Sequence, residues 1–174
     1  MLNITRLVVG MPAHNEEQSI QKVVADFQSH PLVENVIVVD NNSTDKTKLK
    51  ALEAGAIVIE EAELGFGSAM KTLIRSWMND GDSKFLLIVE SDGTFTSDDI
   101  DKYIAYSRDA EIVVGSRTSR ALIWDYAYMP QWVRIGNWSV AKMAELLFNG
   151  PSLTDIGCTG KLFTEKNLNM NAIE

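Results

Sequence analysis

Lys84-Phe85-Leu86-Leu87-Ile88-Val89-Glu90-Ser91-Asp92-Gly93-Thr94-Phe95 decides how the rest of the chain is read. Its apolar run, residues 85–89, is too short for a helix of its own and reads as a strand buried on both faces. The run stops abruptly at Glu90, Ser91, Asp92 and Gly93, which places two carboxylates one residue apart at the carboxyl end of a buried strand. Such a pair is costly to desolvate unless a cation neutralises it, and a divalent metal carrying phosphates would do so. The other reading is that Glu90 and Asp92 only cap the next turn, since Asp and Gly are common turn formers.

The same strand, polar end and helix recur on both sides. Upstream, residues 6–11 form an apolar strand broken by Pro12 and followed by Ala13-His14-Asn15-Glu16-Glu17-Gln18. Asn15 with Gln18 reads as a capping box for a helix over 16–29 that buries Ile20, Val23, Val24 and Phe27. Residues 36–39 are a further buried strand ending in Asp40. The turn formers at 41–45 then lead into a helix that Gly55 closes, with a short strand at 56–59. Gly65-Phe66-Gly67 opens a helix to about residue 79. Its G-x-G lacks the third glycine of a dinucleotide fingerprint, where the chain has Met70, so no nicotinamide or flavin site is expected.

Downstream, Thr96 with Asp99 starts a helix through Ser107, and residues 112–114 form a strand that ends in Gly115-Ser116-Arg117. Residues 118–133 have no clear period and carry Trp124, Tyr126, Tyr128 and Trp132. They read either as a lid or binding loop or as rings that roof the core. A helix over 134–148 ends at Asn149-Gly150-Pro151, and residues 153–161 read as irregular and polar.

Strands alternating with helices specify an α/β single domain over residues 1–174, with a mostly parallel central sheet and helices on both faces. In such sheets ligands bind outside the carboxyl ends of the strands, near the point where strand order reverses. Residues 12–16, 40–43, 90–92 and 116–117 all follow strands, and that coincidence favours a ligand site over a bland turn at Glu90 and Asp92.

Composition bounds the function. The 174 residues are 45% hydrophobic and 23% charged, ordinary for a folded domain. A net charge of -8 argues against a nucleic-acid binder, so a phosphate ligand must be met locally. The lone Cys158 excludes an internal disulfide framework and reads as a buried thiol. Nothing reads as a signal peptide or a membrane span, so a cytoplasmic protein is expected, either free or peripheral at the inner face of a membrane.

With these segments placed, the chain resembles the family 2 glycosyltransferases of the GT-A fold, and most of all the dolichyl-phosphate or polyprenyl-phosphate sugar synthases. The matching pieces are V-V-G-M-P-A-H-N-E-E from Val8, V-V-D-N-N-S-T-D-K-T from Val38, G-F-G-S-A-M from Gly65 and E-S-D-G-T-F from Glu90. V-G-S-R from Val114, R-I-G-N from Arg134 and T-D-I-G-C-T from Thr154 complete the set in the family's order. The resemblance implies a nucleotide pocket from Pro12, Ala13, Glu16, Asp40, Asn42 and Ser91, with Asp40 near the base. It implies that Glu90 and Asp92 hold Mg²⁺ or Mn²⁺ on the diphosphate, and that Arg117 and Arg134 meet the diphosphate or an acceptor phosphate. Asp92, Arg117, Arg134 and Asp155 are the residues expected to serve catalysis.

This chain departs from the pattern in two ways. Glu90 stands where the family usually has aspartate, which keeps the charge but lengthens the arm by one methylene, and Mg²⁺ is the stricter ion about geometry. Many relatives also continue beyond the last motif into further helices or membrane segments, and such an extension is expected either to be absent by nature or to have been cut from this chain. The implied activity is metal-assisted, inverting transfer of a sugar from a nucleoside-diphosphate sugar to a polyprenyl or dolichyl phosphate, as in cell-envelope glycan synthesis. A lipid phosphate is already anionic and needs no base, whereas a hydroxyl acceptor would require a carboxylate such as Asp155 to take its proton. The rival readings are a nucleotide-sugar-binding protein without turnover and a nucleotidyltransferase. The last would carry a basic, glycine-rich loop after the first strand, which residues 12–17 lack.

Overall fold

The structure, a computed structural model, describes residues 6–80, 84–108, 110–116, 130–150, 152–155 and 157–164. In chain order its elements are β1 (Leu7–Ala13), α1 (Ile20–Gln28), β2 (Val33–Asp40), α2 (Thr47–Glu53), β3 (Ile57–Glu60) and α3 (Phe66–Asp80). Then come β4 (Phe85–Ile88), α4 (Asp99–Tyr106), β5 (Ile112–Val114), α5 (Gln131–Phe148) and β6 (Lys161–Thr164). The chain divides into two compact units, Met1–Val113 with Gly160–Glu174, and Val114–Thr159.

The strands form one six-stranded sheet in the order β3-β2-β1-β4-β6-β5. β1 pairs in parallel with β2 and β4, and β2 with β3, while β4 pairs antiparallel with β6. The expected mostly parallel α/β fold is therefore present. The chain winds outward from β1 to β2 and β3 and then returns to place β4 on the other side of β1. The strand order reverses between β1 and β4, and their carboxyl ends flank the crevice where such sheets take ligands.

Both faces of the central strands are buried, as their unbroken apolar runs require. On one face Val8, Ile37, Val39, Leu86 and Ile88 pack with Ala69, Leu73 and Trp77 of α3. Gly10 lies in β1 beneath this helix, and a Cβ there would come within 2.4 Å of Leu73 Cδ2, so the bare backbone is what lets α3 sit down on the sheet. The alternate residues, among them Val9, Met11, Val36, Val38 and Leu87, are buried on the opposite face. That is the face for α1, which buries Ile20, Val23, Val24 and Phe27 at the expected spacing and packs on β2 and α2.

Several local expectations are corrected. Asn15 does not cap α1: it takes a left-handed backbone (φ 57°), and its Oδ1 accepts the Thr44 N–H at 2.9 Å, so a contact 29 residues away displaces the local one. α1 starts at Ile20 after a turn in which the Ser19 and Ile20 amides donate to the Glu16 carbonyl. At α4 only half of the expected box forms: the Thr96 N–H donates to Asp99 Oδ2 at 3.2 Å while the Thr96 hydroxyl is buried without a partner among the described residues. β3 lies one residue later than expected. A strand, Lys161–Thr164, begins at the last residue of the stretch read as irregular, because β4 supplies it with an antiparallel partner. Residues 118–129 of the aromatic segment lie outside the described residues, and α5 takes up 131–133.

Candidate active site

In the first unit the predicted nucleotide residues stand along one edge of the sheet. Ala13 ends β1 and Asp40 ends β2 as direct register partners, and the Asn41 N–H donates to the Ala13 carbonyl at 2.8 Å. At the switch point, the Val89 N–H donates to the Gly10 carbonyl at 3.0 Å, and the buried Ser91 hydroxyl donates to the Pro12 carbonyl at 3.2 Å. Ser91 and Pro12 thus tie the carboxyl ends of β1 and β4 together. Glu90, half-buried, and Asp92, exposed, follow on the same edge.

The two loops that leave β1 and β2 are tied to each other by polar contacts. The Glu16 N–H donates to Thr47 Oγ1 at 2.7 Å, the Glu17 N–H to Asp45 Oδ2 at 3.1 Å, and the Asn15 N–H to Ser43 Oγ at 3.0 Å. Lys50 returns from α2 to donate to the Glu17 carbonyl at 2.6 Å. Burial acts to raise the Asp45 carboxyl. The hydrogen bonds it accepts from the Thr47 hydroxyl, the Thr47 N–H and the Glu17 N–H outweigh that, and hold it below its ordinary value. This network sets Glu16, whose own carboxylate accepts the Ser19 hydroxyl at 2.9 Å, and Asn42, exposed with φ 59°. Asparagine tolerates that left-handed backbone better than most side chains.

Asp40 stands apart from this satisfied network. It is 6% exposed, and its Oδ1 is buried without a hydrogen-bond partner among the described residues. A buried carboxylate oxygen left unpaired is destabilising, and at a strand end it is an acceptor waiting for a donor from a ligand.

Sequence reasoning missed Asn41, whose side chain organises the exit from β3. Its amide donates to the carbonyls of Glu61 (3.2 Å) and Glu63 (2.6 Å) and accepts the Gly65 N–H (2.8 Å). The run of polar residues at 40–45 marked the region but not which member turns inward. Glu61 nearby is held below its ordinary pKa by the Thr72 hydroxyl first and then by the Glu63 N–H.

Asp92 does cap its turn: its two oxygens accept the Thr94 N–H at 2.8 Å and the Thr94 hydroxyl at 2.9 Å, with Gly93 at φ +85°. Each carboxylate oxygen keeps a further lone pair, so the turn and a cation are compatible. No three metal-ligating side chains converge among the described residues. Two carboxylates and no histidine or cysteine suit a hard cation that completes its oxygen shell with substrate phosphates. Glu90 and Asp92 fit that chemistry.

In the second unit, Asp155 is 2% exposed and its Oδ1 accepts Asn137 Nδ2 at 3.2 Å and the Gly157 N–H at 3.1 Å. Asn137 lies one turn after the half-buried Arg134 on α5, so this contact holds the helix to the 152–159 segment. Arg117 lies outside the described residues.

Comparison with known proteins gives this geometry a family. The model of "Glycosyl transferase family 2" matches residues 8–168. The chain is 31% identical over 119 residues to protein RfbJ of Shigella flexneri, covering 67% of this chain and 89% of that protein. It is 30% identical over 165 residues to the UDP-N-acetylglucosamine–dolichyl-phosphate N-acetylglucosaminyltransferase of Methanococcus voltae, covering 83% of this chain and 64% of that one. It spans about half the length of other relatives, 48% of an uncharacterised glycosyltransferase of Mycobacterium bovis. In three dimensions it resembles glucosyl-3-phosphoglycerate synthase from Mycobacterium tuberculosis, solved with Mn²⁺, UDP and phosphoglyceric acid. The TM-score is 0.68 at 18% identity, over 92% of this chain and 56% of that one. The family expected from the motifs is the one found: the chain belongs to glycosyl transferase family 2, and its sheet and helices have the GT-A fold of a glycosyltransferase.

Proposed function

We propose that this chain is the catalytic domain of an inverting transferase that moves a sugar from a nucleoside-diphosphate sugar to a polyprenyl or dolichyl phosphate. The observation that carries the nucleotide half is the partnerless buried Oδ1 of Asp40 at the carboxyl edge. An N–H of a nucleobase satisfies it, while Pro12, Ala13, Glu16, Asn42 and Ser91 bound the base and ribose. Glu90 and Asp92 would hold Mg²⁺ or Mn²⁺ on the diphosphate, and such an ion, when bound, neutralises charge on the leaving group. Arg117 and Arg134 are assigned to the same phosphates or to the acceptor's, where a guanidinium stabilises charge developing in the transition state.

The acceptor half rests on other grounds. A relative is named for transfer to dolichyl phosphate. Asp155, buried and already accepting two hydrogen bonds, is badly placed to take a proton from a hydroxyl acceptor, whereas an acceptor phosphate needs no base. α5 turns Trp132 (76% exposed), Leu146 (84%) and Phe148 (80%) outward, which supports work at a membrane surface. No helix among the described residues is long and apolar enough to cross one.

The test is release of nucleoside diphosphate from UDP- and GDP-sugars with a short polyprenyl phosphate, in Mn²⁺, Mg²⁺ or chelator. Turnover should need both acceptor and metal and should favour Mn²⁺, because the longer Glu90 arm makes a looser oxygen cage; Asp92→Asn should lose the metal dependence of binding. Tight nucleotide-sugar binding without turnover would select the binding-protein reading. Equal nucleotide binding in chelator, unchanged in Asp92→Asn, would remove the metal role of this pair.

A further inference from the structure

The residue beside Asp40 does more than follow it. Asn41 is 5% exposed and uses both halves of its side-chain amide: Nδ2 donates to the Glu61 and Glu63 carbonyls, and Oδ1 accepts the Gly65 N–H. Its backbone is engaged as well, the N–H on the Ala13 carbonyl and the carbonyl with His14 Nδ1 at 2.8 Å. The Asp40 carbonyl accepts the Glu61 N–H at 2.9 Å. One residue therefore joins the end of β1, the end of β2 and the stretch that leaves β3.

We propose that Asn41 is a positioning residue of the nucleotide site, which fixes both the aim of the Asp40 carboxylate and the course of residues 61–65 along the same edge. This rests on the reading of Asp40 as a nucleotide contact. The chemistry singles out asparagine. Residues 61–65 have no helix or strand of their own, and Gly65 at φ +139° is in a region that only glycine enters at little cost. Two of the carbonyls in this stretch need donors and one amide needs an acceptor. A carboxamide of this length supplies all three at once, whereas a carboxylate of the same shape turns lone pairs toward two carbonyl oxygens. Residues 40 and 41 share a peptide unit, so release of position 41 also releases the backbone that aims Asp40.

Asn41→Asp is the isosteric test. UDP affinity with Mn²⁺ is read by calorimetry, turnover of UDP-N-acetylglucosamine by UDP release, and the Gly65 amide by hydrogen exchange. The expected result is a loss of at least about tenfold in UDP affinity, the size of one or two lost hydrogen bonds. KM for the nucleotide-sugar should rise in step while kcat at saturation stays within about twofold. Gly65 protection should be lost in Asn41→Ala, which leaves no acceptor for its N–H. A residue that merely supports the fold would lower Tm and leave Kd and KM of the folded protein unchanged, and that result overturns the proposal. If Asn41→Asp does not fold, Asn41→Ala, which removes the donors without adding charge, carries the same readouts. A wild type that binds no nucleoside diphosphate sinks the nucleotide reading and this role together. A wild type that binds UDP beside a folded Asn41→Asp of equal affinity sinks only the role of Asn41.

Discussion

Asp40→Asn separates binding from stability in a way few substitutions do. The change keeps the volume of a side chain that is 6% exposed, so packing against its neighbours is preserved. It removes a charge whose Oδ1 has no partner among the described residues. The amide keeps an acceptor oxygen, so what is lost is the difference between a charge-assisted hydrogen bond of about 1.5–3 kcal/mol and a neutral one of about 0.5–1.5 kcal/mol, and UDP binding should weaken by about tenfold. The free protein should respond in the opposite sense. An unpaired buried carboxylate oxygen costs on the order of 1–3 kcal/mol, and a neutral amide relieves part of that. A gain of about 1 kcal/mol would raise Tm by about 2–4 °C for a chain of this size. Calorimetric titration of UDP with Mn²⁺ and a thermal scan without ligand measure the two halves. Unchanged UDP affinity would refute the assignment. A Tm several degrees lower would show instead that the Asp40 charge holds the fold together, and the argument from its unpaired oxygen would fail.

Two further outcomes concern the frame that holds the site. Gly10→Ala puts a Cβ 2.4 Å from Leu73 Cδ2 under α3, and overpacking of this kind costs about 1–3 kcal/mol. A fall in the denaturation midpoint, partly restored by adding Leu73→Ala, is expected, and an unchanged midpoint would mean that α3 is not seated as described. The carboxyls of Asp45 and Glu61 are held below their ordinary values of 3.8 and 4.5, so each contributes stability that is complete above those values and is lost as pH falls through the lower folded ones. The urea midpoint should therefore begin to drop below about pH 5, less steeply in Asp45→Asn/Glu61→Gln. An acid limb unaltered in that double variant would assign the loss to other groups.

Much of this protein was legible in order along the chain. The apolar runs ending at Asp40 and at Glu90-Ser91-Asp92 announced buried strands with polar carboxyl ends, and Gly55, at φ +89°, closes α2 as its position implied. Burial periodicity is a property of a single element, so residues within about ten positions of one another are enough to reveal it. What the linear chain could not contain is adjacency. That β4 lies beside β1, and so that Ser91 reaches the Pro12 carbonyl 79 residues away, depends on the winding of the whole sheet. Asn15 reads as a local cap until the second loop offers it Thr44. Lys161–Thr164 becomes a strand only because β4 presents an unpaired edge. Asn41 looks like one turn former among several until β3 brings residues 61–65 to its amide. In each case a short polar or ambiguous segment had more than one satisfactory local conformation. Hydrogen bonds to distant backbone, available only after the sheet had formed, decided between them.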